Sequence, residues 1–438
     1  MLGENHTITN RGKIGIIGLG FVGLPLALAF IRKGFQVLGI DVDESKLKKL
    51  RNKKSYLPDI EDAEVDSVIT AGTFSVSNSY AQLKIVTSVI LCVPTPLTPE
   101  HTPDLSYLTS TCTQLFPYLQ KNQLVVLESS TFPGTTKEVV QPILENSGLR
   151  AGVDFCLAYS PERIDPGSRQ LALEQIPKVV SGVTARCLNQ IVTLYSHVFD
   201  QVVPVSTTEA AETTKLLENT FRLVNISFIN EFAQICHALQ VDVWEVIAAA
   251  STKPYGYTPF YPSAGAGGHC IPVDPLYLQW SAVQLGMHSQ FIELAHQINE
   301  SMSGYIWGQL RTYFLQHKPF SKPSVLIYGV TYKRDTPDIR ESTALSLIAH
   351  MLKDDVQVSY HDPLVPELQV AGTTLRSTDL TEEALRDADC VLIHTDHAAI
   401  PVSFLLAHAS LIYDTRNAVK DKTGNATVIK LGGGYGLN

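Results

Sequence analysis

The sequence lacks the features that mark membrane-spanning, secreted disulfide-bonded and nucleic-acid-binding proteins. It has no uninterrupted apolar segment long enough to cross a bilayer and no apolar signal-peptide core near its start. The seven cysteines form no CxxC pair, and an odd, dispersed set is typical of reduced thiols in the cytoplasm. The formal net charge of -9 opposes binding to phosphate backbones. We therefore expect a cytoplasmic protein with no membrane or nucleic-acid partner.

Short β-branched runs alternate with amphipathic stretches in the first half of the chain and again near its end. Examples are KIGIIG, QVLGID and LVVLES early, and PSVLIYGV and DCVLIHTD late. Residues 207–318 indicate helices instead, the first from Thr207 to about Leu239. Because strands alternating with helices form parallel sheets, we predict two Rossmann-like, doubly wound α/β domains joined by an all-helical middle domain. The predicted domains comprise residues 1–206, 207–318 and 319–438.

The first strand leads into the glycine motif GLGFVG, a candidate dinucleotide site. In such a motif the glycines permit a tight turn, backbone approach to pyrophosphate and close helix–strand packing. Asp41 closes the second strand at about the 20-residue spacing expected of a carboxylate that binds ribose hydroxyls and repels a 2′-phosphate. A glycine turn beside an unrelated aspartate is the alternative. We predict an NAD site formed by Asp41 and the motif residues Gly18, Leu19, Gly20, Phe21, Val22 and Gly23.

Two threonines follow later strands, where doubly wound sheets bind their ligands. Thr95 lies in CVPTP and Thr131 in ESSTFPG. Each is a candidate ligand contact, and a simple turn cap is the alternative for each.

The segment GAGGHCIPVDP contains the candidate nucleophile, Cys270. Gly265 and the glycines that follow it would let a substrate approach the backbone closely. Asp274 and Pro275 have the pattern of a helix cap and a first helical position, and a cysteine before a helix start is favoured as thiolate. The alternatives are a buried structural thiol for Cys270 and a capping role alone for Asp274.

A polar stripe runs along the predicted long middle helix. Lys215, Asn219 and Arg222 are spaced i, i+4 and i+7 and share one face. A polar stripe on a largely apolar helix needs partners, and a lysine near a cysteine could supply the cation or base that alcohol oxidation requires. The alternative is a solvated face paired with Glu212 or Glu218.

Charged residues also follow other predicted strands. In YSPERIDPG, Glu162 is a candidate general base and Arg163 a candidate anion ligand, with a surface ion pair as the alternative. The last domain lacks a full GxGxxG motif, so Lys333, Arg340 and Arg416 are better interpreted as phosphate contacts than as part of a second dinucleotide site. His394 and His397 have no third ligand at a suitable spacing, and we expect no metal.

In this order, the motifs resemble those of the UDP-glucose/GDP-mannose dehydrogenase family across nearly the whole chain. The matching segments are GLGFVGLPLA, CVPTP, ESSTFPGTT, YSPERIDPG, ETTKLLENTFR, GGHCIPVDP, YGVTYKRDTPDIRES and DTRN. Within the family, KPYGYTPFYP followed by GGHCIPVDPLYLQW is most similar to the branch that oxidises UDP-N-acetylglucosamine. Val273 stands where the glucose-specific branch usually has lysine. One departure is Pro262-Ser263-Ala264-Gly265, where the family commonly has Pro-Gly-Pro-Gly, which changes loop freedom.

The resemblance implies two successive oxidations of a sugar C6 alcohol to a carboxylate, with two NAD consumed per UDP-sugar. Cys270 would carry the thiohemiacetal and thioester, Glu162 would assist water, and the remaining catalytic residues would be Lys215, Asn219, Asp274 and Thr131. Further NAD contacts would come from Lys46, Thr95, Thr131 and Arg340. Substrate contacts would come from Glu162, Arg163, Ile164, Lys215, Asn219, Arg222, Gly265, Tyr332, Lys333 and Arg416. A homodimer built on the long helix, or a higher assembly, is also implied.

Other functions fit parts of the sequence. A two-electron hydroxyacid dehydrogenase also couples a Rossmann domain to a helical lysine–asparagine face, but it leaves Cys270 and the last domain without a role. A non-catalytic nucleotide-sugar sensor is a third interpretation. For the sugar, N-acetylglucosamine is our first expectation, followed by N-acetylmannosamine, N-acetylgalactosamine and glucose.

Overall fold

The chain divides into two compact units, each with its own central β-sheet. The computed structural model describes residues 12–163, 172–317, 322–421 and 423–434. The first unit comprises Met1–Glu218 and Leu276–Met287, and the second comprises Asn219–Pro275 and His288–Asn438.

An eight-stranded sheet forms the centre of the first unit. Its strands are β1 Lys13–Ile17, β2 Gln36–Ile40, β3 Phe74–Ser77, β4 Ser88–Leu91, β5 Leu124–Leu127, β6 Cys156–Tyr159, β7 Lys178–Gly182 and β8 Val202–Pro204. The spatial order is β3-β2-β1-β4-β5-β6-β7-β8, and every neighbouring pair is parallel except β6 with β7. Short helices are α1 Gly23–Arg32, α2 Glu44–Arg51, α3 Asp62–Thr70, α4 Ser106–Leu115, α5 Gln141–Glu145 and α6 Ala185–Tyr195.

Both faces of this sheet are buried. In β5, Leu124 and Val126 pack into one apolar cluster, whereas Val125 and Leu127 pack into the cluster on the other face. Burial on both faces explains why the parallel strands are continuous apolar runs rather than alternating patterns. The unpredicted strands β3 and β8 are short, and β3 alternates with polar residues.

The middle of the chain is helical around one long loop. Its helices are α7 Thr208–Ala238, α8 Val243–Ala250, α9 Asp274–Gln284 and α10 Gln290–His317. The predicted bounds of the long first helix agree with α7 to within one residue at each end. Residues 251–273 contain no helix or strand, and this loop carries the GAGGHC motif.

A five-stranded parallel sheet forms the centre of the second unit. Its strands are β9 Ser324–Tyr328, β10 Gln357–His361, β13 Cys390–Ile393, β14 Leu411–Asp414 and β15 Thr427–Lys430, in the order β10-β9-β13-β14-β15. A separate hairpin pairs β11 Glu367–Val370 with β12 Thr373–Arg376, and the helices are α11 Thr343–Lys353, α12 Glu382–Asp387 and α13 Val402–His408. The structure therefore confirms the predicted fold class of two parallel α/β domains and a helical middle.

Several helices begin at a polar side chain that accepts a hydrogen bond from an early backbone amide. These caps are Asp43, Thr184, Asp242, Ser342 and Thr381. Because the first amides of a helix have no partner within the helix, such caps set where it starts. Among the helices of the described residues, none is both long and apolar enough to cross a membrane.

Candidate active site

The glycine motif forms the tight turn between β1 and α1. Gly18 has a φ of +90°, and a Cβ there would lie 2.3 Å from the Cys92 carbonyl oxygen. A Cβ on Gly23 would lie 1.8 Å from the Gly18 carbonyl oxygen, so both positions exclude a side chain. A Cβ on Gly20 would meet no atom within 4 Å. The backbone at Gly20 therefore faces open space, as a site for a dinucleotide pyrophosphate requires.

Asp41 follows β2 and holds the glycine turn in place. Its carboxylate accepts from the Leu19 amide at 2.8 Å and from the Asp43 amide at 2.9 Å, one bond to each oxygen. The Lys46 amine lies 3.6 Å from the same carboxylate. Each oxygen accepts a single backbone bond and so keeps acceptor capacity for a ribose hydroxyl. Tyr56, which the sequence analysis missed, donates to the Leu19 carbonyl.

The two candidate threonines differ in how their hydroxyls are used. Thr95 donates to the Ser130 carbonyl at 2.5 Å, a bond between two separate loops rather than a local turn cap, so its hydroxyl proton is already used. Thr131 is fully buried, and within the part of the chain that the structure describes its hydroxyl has no hydrogen-bond partner. A buried, unsatisfied hydroxyl is costly, so Thr131 fits a ligand contact better than Thr95 does.

Glu162 and Arg163 are neighbours with different environments. Glu162 is only 9% exposed, which argues against a surface ion pair for this residue. The Arg163 guanidinium donates to Glu218 at 2.6 Å and to the Pro177 carbonyl at 2.6 Å. The ion-pair alternative therefore describes the Arg163 side chain, and its contact with an anion stays a prediction. Ile164 lies outside the described residues.

The polar stripe on α7 is buried at its start and exposed further along. Lys215 and Asn219 are buried, whereas Arg222 is exposed. The two glutamates considered as partners for this stripe bind other groups. Glu212 accepts from the amides of Gly134 and Thr136 and from the Thr136 hydroxyl. Glu218 forms an ion pair with Arg163. The interpretation of this face as a solvated row of ion pairs is therefore wrong for its first two residues.

Burial also changes the acidity of Glu212. It raises the pKa of Glu212 from an ordinary value of 4.5 to about 7, although the hydrogen bonds from Thr136 and Gly134 lower it. Glu212 thus anchors the loop after Thr131 to the start of α7.

The long helix and the cysteine loop meet through Asp274. The Asn219 side-chain amide donates to the Asp274 carboxylate at 2.6 Å, and the Asp274 backbone amide donates to the Cys270 carbonyl at 2.9 Å. Asp274 is fully buried and lies in the first turn of α9. Because the Asp274 carboxylate binds Asn219, a capping role alone does not account for this side chain. The half-buried thiol residue Cys270 is thus four residues from a buried carboxylate.

The cysteine loop requires glycine at three positions, because other protein atoms lie where a side chain would be. A Cβ on Gly267 would lie 2.4 Å from the Glu341 carbonyl oxygen, and one on Gly268 would lie 2.7 Å from the Tyr332 ring. Gly265 has a φ of +113°, and its Cβ would lie 2.9 Å from a Thr343 methyl group. Protein atoms thus fill the space on the Cβ side of each glycine, and a substrate contact with the Gly265 backbone stays a prediction.

Two asparagines that the sequence analysis missed hold the same loop. Asn299 accepts from the Ala266 amide at 2.6 Å and donates to the Ala266 carbonyl at 3.1 Å. Asn230 accepts from the Ser263 amide at 2.8 Å. The Gly265 amide donates to the Ser263 hydroxyl at 3.3 Å. Hydrogen bonds thus constrain the Ser263-Ala264 stretch that departs from the family pattern.

The candidate phosphate residues lie at the carboxyl ends of strands in the second unit. Tyr332 and Lys333 follow β9, and Arg416 follows β14. Arg416 donates to the His394 carbonyl at 2.7 Å, and burial lowers the pKa of its guanidinium. Arg340 forms a two-pronged ion pair with Asp338, with a shortest distance of 2.6 Å. An NAD contact by Arg340 stays a prediction.

Both candidate metal-binding histidines are buried in hydrogen bonds. His394 lies 3.0 Å from the hydroxyls of Thr343 and Thr395. His397 accepts from the Asp335 amide at 3.0 Å, and its other nitrogen lies 3.2 Å from Asp362. In the described ranges no group of three or more histidine, cysteine, aspartate or glutamate side chains could hold a metal ion.

Comparison with known proteins identifies the family. Models of the UDP-glucose/GDP-mannose dehydrogenase family match residues 12–199 (NAD binding domain), 209–301 (central domain) and 326–421 (UDP binding domain). The chain belongs to this family. It is an NAD-dependent dehydrogenase of nucleotide sugars, and the open Gly20 backbone and the Asp41 carboxylate fit that cofactor.

Individual relatives differ in the sugar that they are named for. The UDP-N-acetyl-D-glucosamine 6-dehydrogenase of Pseudomonas aeruginosa is 34% identical over 356 residues, 81% of this chain and 83% of its own. The UDP-N-acetyl-D-mannosamine dehydrogenase of Pyrococcus horikoshii is 34% identical over 422 residues, 93% of this chain and 96% of its own. A solved structure of a UDP-D-ManNAc dehydrogenase from Pyrococcus horikoshii is similar with a TM-score of 0.87 and 32% identity, covering 96% of this chain and 99% of that one.

Proposed function

We propose that this dehydrogenase oxidises the C6 alcohol of a UDP-N-acetylhexosamine, first of all UDP-N-acetylglucosamine, to a carboxylate in two steps. The observation that carries the proposal is the bonded series Asn219–Asp274–Cys270. These bonds fix the backbone of the cysteine loop at Cys270. A simple alcohol dehydrogenase has no use for a nucleophilic thiol at its active site. A four-electron oxidation does need one, because the nucleophile retains the aldehyde between the two oxidations.

Each residue has one role in this scheme. When bound, NAD would supply the hydride acceptor, and the two oxidations would consume two NAD molecules in succession. Between them, the Cys270 sulfur bonds to the aldehyde carbon to form a thiohemiacetal, whose oxidation yields a thioester. Water then bonds to the acyl carbon, Glu162 accepts a water proton, and the carbon–sulfur bond breaks to return the Cys270 thiolate.

The Asn219 amide and the Lys215 amine, both buried on α7, would stabilise negative charge on the reacting oxygen. The Asn219 amide has two N–H groups, one of which binds Asp274 and so orients the other. Lys215 lies one helical turn earlier and is only 6% exposed, so its charge is poorly screened. Both groups can therefore stabilise a developing alkoxide.

The nucleotide part of the substrate would be held by the last domain. Tyr332, Lys333 and Arg416 lie at strand carboxyl ends, where parallel sheets bind ligands. The match of this domain to the family's UDP binding domain supports these contacts. Arg222, exposed on α7, would add a further cation.

UDP-N-acetylmannosamine is the second candidate substrate, because the similarity to the Pyrococcus horikoshii enzyme named for it spans 93% of this chain. The decisive experiment measures NADH formed per molecule of purified UDP-sugar consumed. We expect two NADH with one of the N-acetylhexosamines and slower reduction with UDP-glucose. One NADH with an accumulating aldehyde would support a two-electron dehydrogenase, and binding without reduction would support a sensor.

We also propose a homodimer that buries one face of α7. Phe221, Phe228 and Ile235 are spaced seven residues apart and are exposed by 53%, 60% and 49%. This spacing aligns them in a single apolar stripe. A stripe of large apolar side chains in water is typical of a surface that packs against a second chain.

A further inference from the structure

A buried charged network surrounds the backbone just before Glu162, and none of the candidate site residues belongs to it. Glu128 follows β5, Lys178 begins β7 and Tyr195 ends α6. The side chains of Lys178 and Glu128 are only 5% and 1% exposed. A charged pair this deeply buried calls for a reason beyond fold stability, because apolar residues of similar size often serve stability as well.

The Lys178 amine joins three parts of the network. It donates to the Glu128 carboxylate at 2.9 Å and to the Pro161 carbonyl at 3.2 Å. It also lies 5.8 Å from the centre of the Tyr195 ring and 5.4 Å from that of Phe199. Tyr195 in turn donates to the second oxygen of Glu128. The network thus anchors the peptide group directly before Glu162.

We infer that Lys178 is a positioning residue, which together with Glu128 and Tyr195 fixes the Pro161–Glu162 backbone so that the Glu162 carboxylate is aimed at the hydrolytic water. The inference rests on the proposed role of Glu162 in thioester hydrolysis. It assigns Lys178 no contact with substrate.

The charges of the network also act on Glu128. Burial raises the pKa of Glu128, the Lys178 charge opposes this rise, and the Glu162 charge adds to it. Two carboxylates therefore share the field of one ammonium group. The remaining titratable neighbours are Cys92 and Tyr195, whose pKa values burial raises well above their ordinary values, so both stay neutral. Without the ammonium group, Glu128 would lose the charge that opposes the effect of burial on its pKa.

The test compares Lys178→Met with Lys178→Arg and uses Lys54→Met as a control, because Lys54 forms an exposed ion pair with Asp62 in the same unit. During turnover with the active UDP-sugar and NAD, intact-protein mass spectrometry measures the fraction of enzyme that carries a sugar on Cys270. We expect Lys178→Met to accumulate this adduct and to turn over at least about tenfold more slowly. The KM for UDP-sugar should change less than about twofold. Lys178→Arg keeps N–H donors for the Glu128 carboxylate and the Pro161 carbonyl. This variant should therefore recover most of the turnover rate that Lys178→Met loses.

The double variant Glu128→Gln/Lys178→Met separates positioning from stability. It contains no lone buried charge, so its melting temperature should recover relative to Lys178→Met, while the adduct should still accumulate because nothing holds the Pro161 carbonyl. Recovery of rate and melting temperature together would show a purely structural role and overturn the inference. Wild-type turnover in Lys178→Met would overturn it as well. A wild-type enzyme that forms one NADH and no adduct would instead refute the proposed function, and this inference with it.

Discussion

The Asn219 amide donates to the Asp274 carboxylate at 2.6 Å and thereby links α7 to the first turn of α9. The two residues are 55 positions apart in sequence. Both are buried, and the Asp274 amide is bonded to the Cys270 carbonyl. The orientation of the cysteine loop therefore depends on a contact made by the long helix.

Replacing Asn219 should damage both this link and the reaction. Asn219→Ala removes a donor to a buried carboxylate, so we expect a loss of about 1–3 kcal/mol in the free energy of unfolding and a large fall in kcat. Asn219→Asp places two carboxylates within hydrogen-bond distance, so its stability should fall further as pH rises. Chemical denaturation at several pH values measures both effects. Equal stability of the two variants at every pH would contradict a direct Asn219–Asp274 bond.

Cys270→Ser should abolish formation of the uronate while leaving NAD affinity nearly intact. A serine hydroxyl is a much weaker nucleophile than a thiolate, so we expect the rate to fall at least about 10³-fold. Product analysis and NAD titration measure the two properties. Cys236→Ser is the matched control, because Cys236 is a buried thiol of α7 with no proposed role. Unchanged uronate formation in Cys270→Ser would remove the thiol from the mechanism.

Asp41→Ala should weaken NAD binding. The carboxylate orients the glycine turn through Leu19 and is proposed to bind ribose hydroxyls, and hydrogen bonds to charged groups contribute about 1.5–3 kcal/mol each. We therefore expect the Kd for NAD, measured by calorimetry, to rise by about 10- to 100-fold. Asp43→Ala, which removes only the cap of α2, should cost about 1 kcal/mol of stability without this change in affinity. Equal Kd values for the two variants would reassign the ribose site.

Glu212 should make the enzyme less stable as pH rises. The raised pKa of about 7 means that the folded state binds this proton more tightly than the unfolded state, whose carboxyl titrates near 4.5. The stabilising contribution is therefore complete below about pH 4.5 and is lost as pH rises towards 7. We expect the free energy of unfolding of the wild type to fall relative to that of Glu212→Gln by about 1–3 kcal/mol across this window. A pH-independent difference would show that Glu212 titrates normally.

The apolar stripe on α7 should control association. Phe228→Asp places a charge in the proposed interface, so light scattering at micromolar concentration should show a monomer where the wild type is a dimer. Asn189→Asp is a control, because Asn189 is exposed on α6, outside the proposed interface. A dimer of unchanged stability in Phe228→Asp would place the interface elsewhere.

Local patterns were sufficient to predict the strands that are continuous apolar runs, and the cofactor turn. GLGFVG and Asp41 are linked by the geometry of one βαβ unit, so the spacing of their residues along the chain already implies their contact. The short strands β3 and β8 and the hairpin β11–β12 were not predicted. These strands have only three or four residues each, and several of those residues are exposed, so the strands contain no long run of apolar residues. At Asp274, a helix cap and a buried carboxylate have the same local sequence, so only the tertiary structure reveals the bond to Asn219.

The sequence alone determined the fold class, the family and the identity of the candidate nucleophile, since these depend on periodicity and on motifs of neighbouring residues. Only the tertiary structure decided the partners of buried polar groups: Asn219 for Asp274, Asn299 for Ala266, and Lys178 for Glu128. These partners lie tens of residues apart in sequence. Their pairing depends on how helices and strands pack, and a buried polar group bonds to whichever group packing brings within reach.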